Sequence, residues 1–314
     1  MAILLRNAPP LAAVEARLRD FPIVRRSEAS TTWPFGGGPS LLVAWRPDVN
    51  GYVLVEVLDR RWLDQMGDPK GDGDVFAAWG MGYFGPGTWP GALDRAGQYA
   101  RAWPEARSAV PLHRAFIRIL CSYVLGAKGT KSDAPVMPPD YRPLPELEFM
   151  TRIAAALVNL PETLCYFNPN GECIQRPSEF ADMLSQFASL RLMPLPLWSN
   201  TRLFTISDLQ PPWDLMDTVG MMQLDVPDHE ACFESGAYAP EDVNILLMNA
   251  SAYVVQNGSV TRGGAAMVGP RDVKWQAFSV KEGLMTPPRA TIRWFPQDGR
   301  EVPQGFLASV ARPN

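Results

Sequence analysis

The stretch DVPDHEACFE, residues 225–234, concentrates side chains that can do chemistry. His229 stands among Asp225, Asp228, Glu230, Cys232 and Glu234. Imidazole, carboxylate and thiolate are the usual donors to a transition metal, and a metal so held can activate water for hydrolysis. The spacing matches no standard ligand pattern, however. On a strand, alternation would turn half of these side chains away from any shared ion. A metal-dependent hydrolase built on His229 and its neighbouring carboxylates is therefore the alternative reading, and no metal or cofactor is assigned. The other histidine, His113, opens an apolar run after Pro111 with no nucleophile close by. There is no G-x-S-x-G elbow, no Walker loop and no H-E-x-x-H, so no catalytic residue is assigned.

A second stretch, WGMGYFGPGTWPG at residues 79–91, has dinucleotide-loop spacing at Gly80, Gly82 and Gly85. Such a loop follows a strand, opens a helix and offers backbone N–H groups to a pyrophosphate. Here Pro86 and Pro90 fall where those donors should begin, and proline has none. Tyr83 and Phe84 would crowd a phosphate, and Asp94 comes too early to hold a ribose. The stretch reads as an ordered loop whose aromatics cap a sheet or face a partner. Trp79, Tyr83, Phe84 and Trp89 are the candidate contacts, since Trp and Tyr serve as interface anchors.

Charge is unevenly placed. Between Arg202 and Arg262 there is no Lys or Arg, while nine acids occur: Asp208, Asp214, Asp217, Asp225, Asp228, Glu230, Glu234, Glu241 and Asp242. The chain carries 29 bases and 33 acids, a net charge of −4; without those nine, 29 bases face 24 acids, or +5. A concentrated negative field draws a basic partner, speeds the encounter, and repels nucleic acid and anionic membrane. Asp225, Asp228, Glu230, Glu234, Glu241 and Asp242 are the expected contact acids. The same residues also fit local structure, because Glu241 and Asp242 directly follow Pro240, as at a helix start.

The elements that would position these groups are legible in outline. AILLR, PIVRR, SLLVAWR and YVLVEVL read as strands, the last two joined through the Asn50-Gly51 hairpin dipeptide. PPLAAVEARLRDF has helical spacing at Leu11, Val14, Leu18 and Phe21, and a second helix places Leu147, Met150, Ile153, Ala154 and Leu157 on one stripe. HRAFIRILCSYV alternates as a strand, TLCYFNPNGECIQ reads as a hairpin, and PSEFADMLSQFASL as a helix. Further on, WSNTRLFTI, DTVGMMQLDV, VKWQAFSV and ATIRWFP read as strands, with a helix through Val243–Val254.

Strands interrupted by single helices indicate an α+β fold. We expect two α/β-sandwich lobes, each a mainly antiparallel sheet with helices packed on one face. The linker candidate is the Pro-rich KGTKSDAPVMPPDYRPLP, which divides the chain into lobes 1–140 and 141–314. One continuous domain is the alternative.

An apolar share of 46% with 20% charged residues describes a soluble globular protein. No window approaches the roughly 20 apolar residues of a membrane helix, and no secretory signal is visible, so the expected location is cytoplasmic. The four cysteines form no C-x-x-C pair and read as buried thiols, although Cys165 and Cys173 flank a turn and could approach each other.

DTVGMMQLDVPDHE, the helix ending in YVVQNGSVTRGG, and PPRATIRWF together resemble a bacterial family known as domain-of-unknown-function family 4261. HRAFIRI and LPETLCYFNPNGE fit its general shape, whereas Gln223-Leu224 departs from its glycine-rich strand end. In character the chain is also similar to immunity proteins paired with type VI secreted effectors. The resemblance implies a non-catalytic protein that neutralises a cognate toxin, a basic and nuclease-like one, by direct binding, with homo-oligomerisation left open. A secretion-system adaptor is the further alternative.

Overall fold

The computed structural model describes residues 1–29, 36–85, 87–124, 137–258 and 265–307. The chain forms two compact units, Met1–Leu197 and Trp198–Asn314.

The first unit is built on seven strands: β1 (Ala2–Leu5), β2 (Ile23–Ser27), β3 (Ser40–Arg46), β4 (Gly51–Leu58), β5 (Ala115–Ser122), β6 (Thr163–Asn168) and β7 (Cys173–Gln175). Its helices are α1 (Leu11–Arg17), α2 (Gly73–Gly80), α3 (Ala92–Gln98), α4 (Ala106–Ala109), α5 (Pro143–Leu157) and α6 (Pro177–Ser189). The strands lie in the order β2-β3-β4-β5-β1-β6-β7, all antiparallel. Every residue of β1 is buried, as befits an uninterrupted apolar run at the centre of a sheet. Asn50 takes the left-handed conformation at φ 62° between β3 and β4, the property for which Asn-Gly marks hairpins.

Both faces of this sheet are covered, where a layer on one face was expected. Ala2, Leu4, Phe116 and Phe167 join an apolar cluster with residues of α2, α3 and α4. The alternate residues Ile3 and Leu5 are equally buried, and α5 packs against β5 and β1. The units divide between Leu197 and Trp198, well past residue 140, because β6 pairs with β1 and carries β7 with it. Proline-rich composition marks a loop but does not say whether the loop joins domains or crosses within one. Residues 128–136 of that stretch lie outside the described residues.

The second unit contains β8 (Asn200–Ile206), β9 (Trp213–Val219), β10 (Asp228–Glu234), β11 (Ala266–Val268), β12 (Lys274–Val280) and β13 (Thr291–Pro296), with α7 (Pro240–Asn257) and α8 (Gln304–Leu307). The order is β11-β12-β13-β10-β9-β8, and β10 with β13 is the one parallel pair among the described residues. Pro240 opens α7, and Gly258, at φ 79°, ends it. Val243, Leu246, Leu247, Ala250 and Val254 form its buried stripe, seated on Met216, Ala231, Phe233 and Trp294 of the sheet. DTVGMMQLDV is not one strand. Pairing stops at Val219, Gly220 takes φ 122°, and Met221–Leu224 form a 3-10 turn.

Candidate functional site: a buried charged row and an acidic rim

Alternation on β10 sends Asp228, Glu230 and Cys232 to one face of the sheet, and His229, Ala231 and Phe233 to the face beneath α7. Register then assembles a row across four strands. Arg202 of β8 lies opposite Asp217 of β9, Asp217 opposite Glu230 of β10, and Glu230 opposite Arg293 of β13. All four side chains are at most 1% exposed.

The row is cationic at its ends and anionic at its centre. Two carboxylates directly opposed across strands repel, so each needs its own guanidinium. Arg202 grips Asp217 with two bonds, Nε to Oδ1 at 3.0 Å and Nη2 to Oδ2 at 2.6 Å. Arg293 Nε donates to Glu230 Oε1 at 2.5 Å, and its Nη1 donates to the Phe306 carbonyl of α8. The Thr291 hydroxyl (3.1 Å) and the Leu284 N–H (3.0 Å) supply Glu230 with two further donors.

Arg289, in the β12–β13 connection, binds a third carboxylate into this system. Its Nη2 lies 2.6 Å from Asp217 Oδ2, and its Nε 3.1 Å from Asp228 Oδ2. The carbonyls of Thr218, Met285 and Pro287 accept its remaining protons. Asp228 also accepts from the Thr218 hydroxyl at 2.8 Å and the Met221 N–H at 3.1 Å. Buried carboxylates supplied with this many donors serve the fold, because removing one partner would leave an uncompensated charge inside.

This geometry corrects two expectations. Asp228 and Glu230 are not contact acids, because burial and pairing with Arg289 and Arg293 remove them from the surface. Nor can His229 share an ion with them, since it points into the opposite layer. There its Nδ1 accepts the Trp294 indole N–H at 3.0 Å, and burial lowers its pKa to about 3. Among the described residues no group of three His, Cys, Asp or Glu side chains is arranged to hold a metal. The four cysteines are free thiols, Cys165 and Cys173 included.

The other expected contacts divide. Asp225 is exposed, at φ 57° after the 3-10 turn, and Glu241 and Asp242 are exposed in the first turn of α7. These three have no ion pair among the described residues. Glu234 is half-buried and lies 3.4 Å from Arg300. In the glycine loop, Trp79 and Phe84 are buried and stacked at 4.7 Å. Tyr83 is half-buried beneath the Arg118 guanidinium, and Trp89 alone of the four is exposed. The loop follows a helix, and Gly85, at φ 112°, sits where a Cβ would come within 2.7 Å of Asn170 Oδ1. It is a cap on the first sheet, as the aromatics allowed.

Arg202, Asp217, Arg289 and Arg293 were not assigned from sequence. The signal present was period-two alternation: Asp228, Glu230 and Cys232 on one strand, Thr291, Arg293 and Phe295 on another. Charge at alternate strand positions looks like a solvated face unless the covering layer is known.

The charge balance survives this correction. The first unit holds 20 bases and 20 acids, and the second 9 and 13. The row withdraws three of each from the second unit, so the whole −4 still belongs to that unit's other residues. Among the described residues no helix is long and apolar enough to cross a membrane.

Residues 217–295 match a family model described as Domain of unknown function (DUF4261). DTVGMMQLDVPDHE and PPRATIRWF fall inside the match; HRAFIRI and LPETLCYFNPNGE, in the first unit, fall outside it. No characterised protein and no solved structure shows significant similarity to the chain. The segment similar to that family thus runs from Asp217 to Phe295 and carries every member of the charged row except Arg202.

Proposed function

We propose that the protein works by non-catalytic binding of a basic protein partner, a bacterial toxin of the type VI secreted kind that it neutralises by direct contact. The observation carrying this reading is the acidic, partly apolar rim of the second unit. Asp225, Glu241 and Asp242 are exposed without ion pairs among the described residues, and α7 exposes Ile245 and Tyr253 while carrying no Lys or Arg. Unneutralised acids beside apolar side chains suit a cationic protein surface, where charge sets the encounter rate and the apolar side chains anchor the complex. Val226, next to Asp225, packs in the same cluster as Val243 and Leu246, which sets the two acidic segments on the same side of the sheet.

The test is co-expression with the product of the neighbouring open reading frame. We expect that product to arrest growth alone and not beside this protein, and the purified pair to associate more slowly as salt rises. Replacing Glu241 and Asp242 by Lys, with Asp225→Asn, should slow association and flatten that salt dependence. Co-purification with a large assembly in place of one small toxic partner would instead indicate an adaptor.

A further inference from the structure

A cleft of about 250 Å³ in the first unit is lined by Arg61, Trp62, Leu93, Arg107, Val110 and His113. Its walls are largely apolar, and its volume falls just below the usual range of ligand sites, room for a small molecule only. Arg61 and Arg107 are exposed and have no ion pair or hydrogen bond among the described residues. Three less exposed arginines of this unit are paired: Arg118 with Glu56, Arg95 with Glu172 and Arg46 with Asp140.

The segments bearing the two free arginines are tied together by His113. The Trp62 N–H donates to His113 Nε2 at 2.9 Å, and His113 Nδ1 lies 2.6 Å from the Val110 carbonyl. That arrangement fixes the imidazole as the neutral Nδ1–H tautomer. It also anchors the backbone one residue from Arg61 and three residues from Arg107. The carboxylate on the cleft wall is already engaged, since Asp64 accepts the N–H groups of Leu93 at 2.7 Å and Asp94 at 2.9 Å. Asp94 is exposed at the rim, so two carboxylates, Asp64 and Asp94, stand against the two guanidiniums.

We propose that this cleft is a binding site for a small carboxylate with an apolar body. The carboxylate would meet the guanidiniums of Arg61 and Arg107, and the body would lie against Trp62, Leu93 and Val110. Planar forks suit a carboxylate by paired N–H···O bonds. The proposal is independent of toxin binding, which draws on the second unit.

Fluorine NMR on the full chain tests it, with para-fluorobenzoate as probe. Para-fluorobenzyl alcohol and para-fluorobenzylamine serve as neutral and cationic controls. We expect the benzoate to bind at about millimolar Kd and the alcohol far more weakly. Arg61→Gln and Arg107→Gln should each weaken binding about tenfold, the loss of one charge-assisted bond. Asp94→Asn should strengthen it a few-fold by removing the like charge. Arg61→Lys and Arg107→Lys, which keep charge and lose the fork, should retain part of the affinity. Three results would overturn the proposal: no benzoate binding at about 10 mM, binding unchanged in the double Gln variant, or preference for the amine that disappears with Asp94→Asn.

Discussion

In the first unit the layer over the sheet is aromatic: Trp62 meets Phe84, Phe116 and Phe167 edge-on at 5.2–5.3 Å between ring centres. In the second unit one sheet face carries a row of four ionisable side chains, to which Arg289 attaches Asp228 through Asp217. The difference is one of cooperativity. Aromatic contacts are short-ranged and many, so losing one ring forfeits its own area and leaves a cavity. Buried charges are useful only while all partners are present, so losing one group penalises those that remain. The second unit therefore depends on a small set of residues drawn from strands far apart in sequence.

The strongest way to break this comparison is to remove Asp217, which serves both Arg202 and Arg289. Asp217→Ala should destabilise by about 3–5 kcal/mol, and Trp62→Ala by a similar 3–5 kcal/mol or so through its cavity. Amide hydrogen exchange distinguishes them. Asp217→Ala should raise exchange in β9 and β10 first, and Trp62→Ala in β1 and β5. Equal acceleration everywhere in both variants would erase the contrast.

A double substitution sharpens it. Glu230→Leu alone strands Arg293, whereas Glu230→Leu with Arg293→Met removes both charges. The pair should be the more stable of the two, with a coupling of about 0.5–3 kcal/mol by chemical denaturation. No such pairwise rescue is expected among the rings around Trp62.

His229 gives the row's opposite face a pH signature. Its folded pKa is lowered from 6.5 to about 3. Below pH 6.5 the unfolded imidazole takes up a proton that the folded one refuses. Its contribution is therefore fully present above pH 6.5 and is lost as pH falls toward 3. At pH 5 the loss should be about 2 kcal/mol. His229→Gln, which can still accept the Trp294 N–H, should flatten that slope in urea titrations. An unchanged slope would mean that other groups set the acid limb.

The smallest effects belong to the surface. Trp89→Ala and Asp225→Asn should each change stability by less than about 0.5 kcal/mol. Asn is the choice at Asp225 because it tolerates the left-handed backbone there. A larger loss from either would mean that the residue is held by structure and is not free for a partner.

Much of the fold was legible because its signals are local. The alternation of β5, the spacing in α5 and α7, and Asn50-Gly51 each act within a few residues. The strand over DTVGMMQLDV was misread because its apolar composition outweighed Gly220, whose φ of 122° turns the chain. Trp89 and Phe84 are close in sequence and similar in hydrophobicity; one is exposed and the other buried, and nothing local separates them.

The sequence alone determined that the chain folds as α+β with antiparallel sheets, that its negative charge gathers late in the chain, and that no standard catalytic motif is present. These depend on composition and on neighbours along the chain. Tertiary structure decided which acids meet solvent. Asp228 and Asp225 look alike in sequence, but pairing in the sheet brings Arg202, Arg289 and Arg293 onto Asp217, Asp228 and Glu230, leaving Asp225 outside. Strand register brings Arg293 to Glu230, 63 positions away, and the β12–β13 connection brings Arg289 to Asp217, 72 positions away; such long-range pairing has no local signature in the chain.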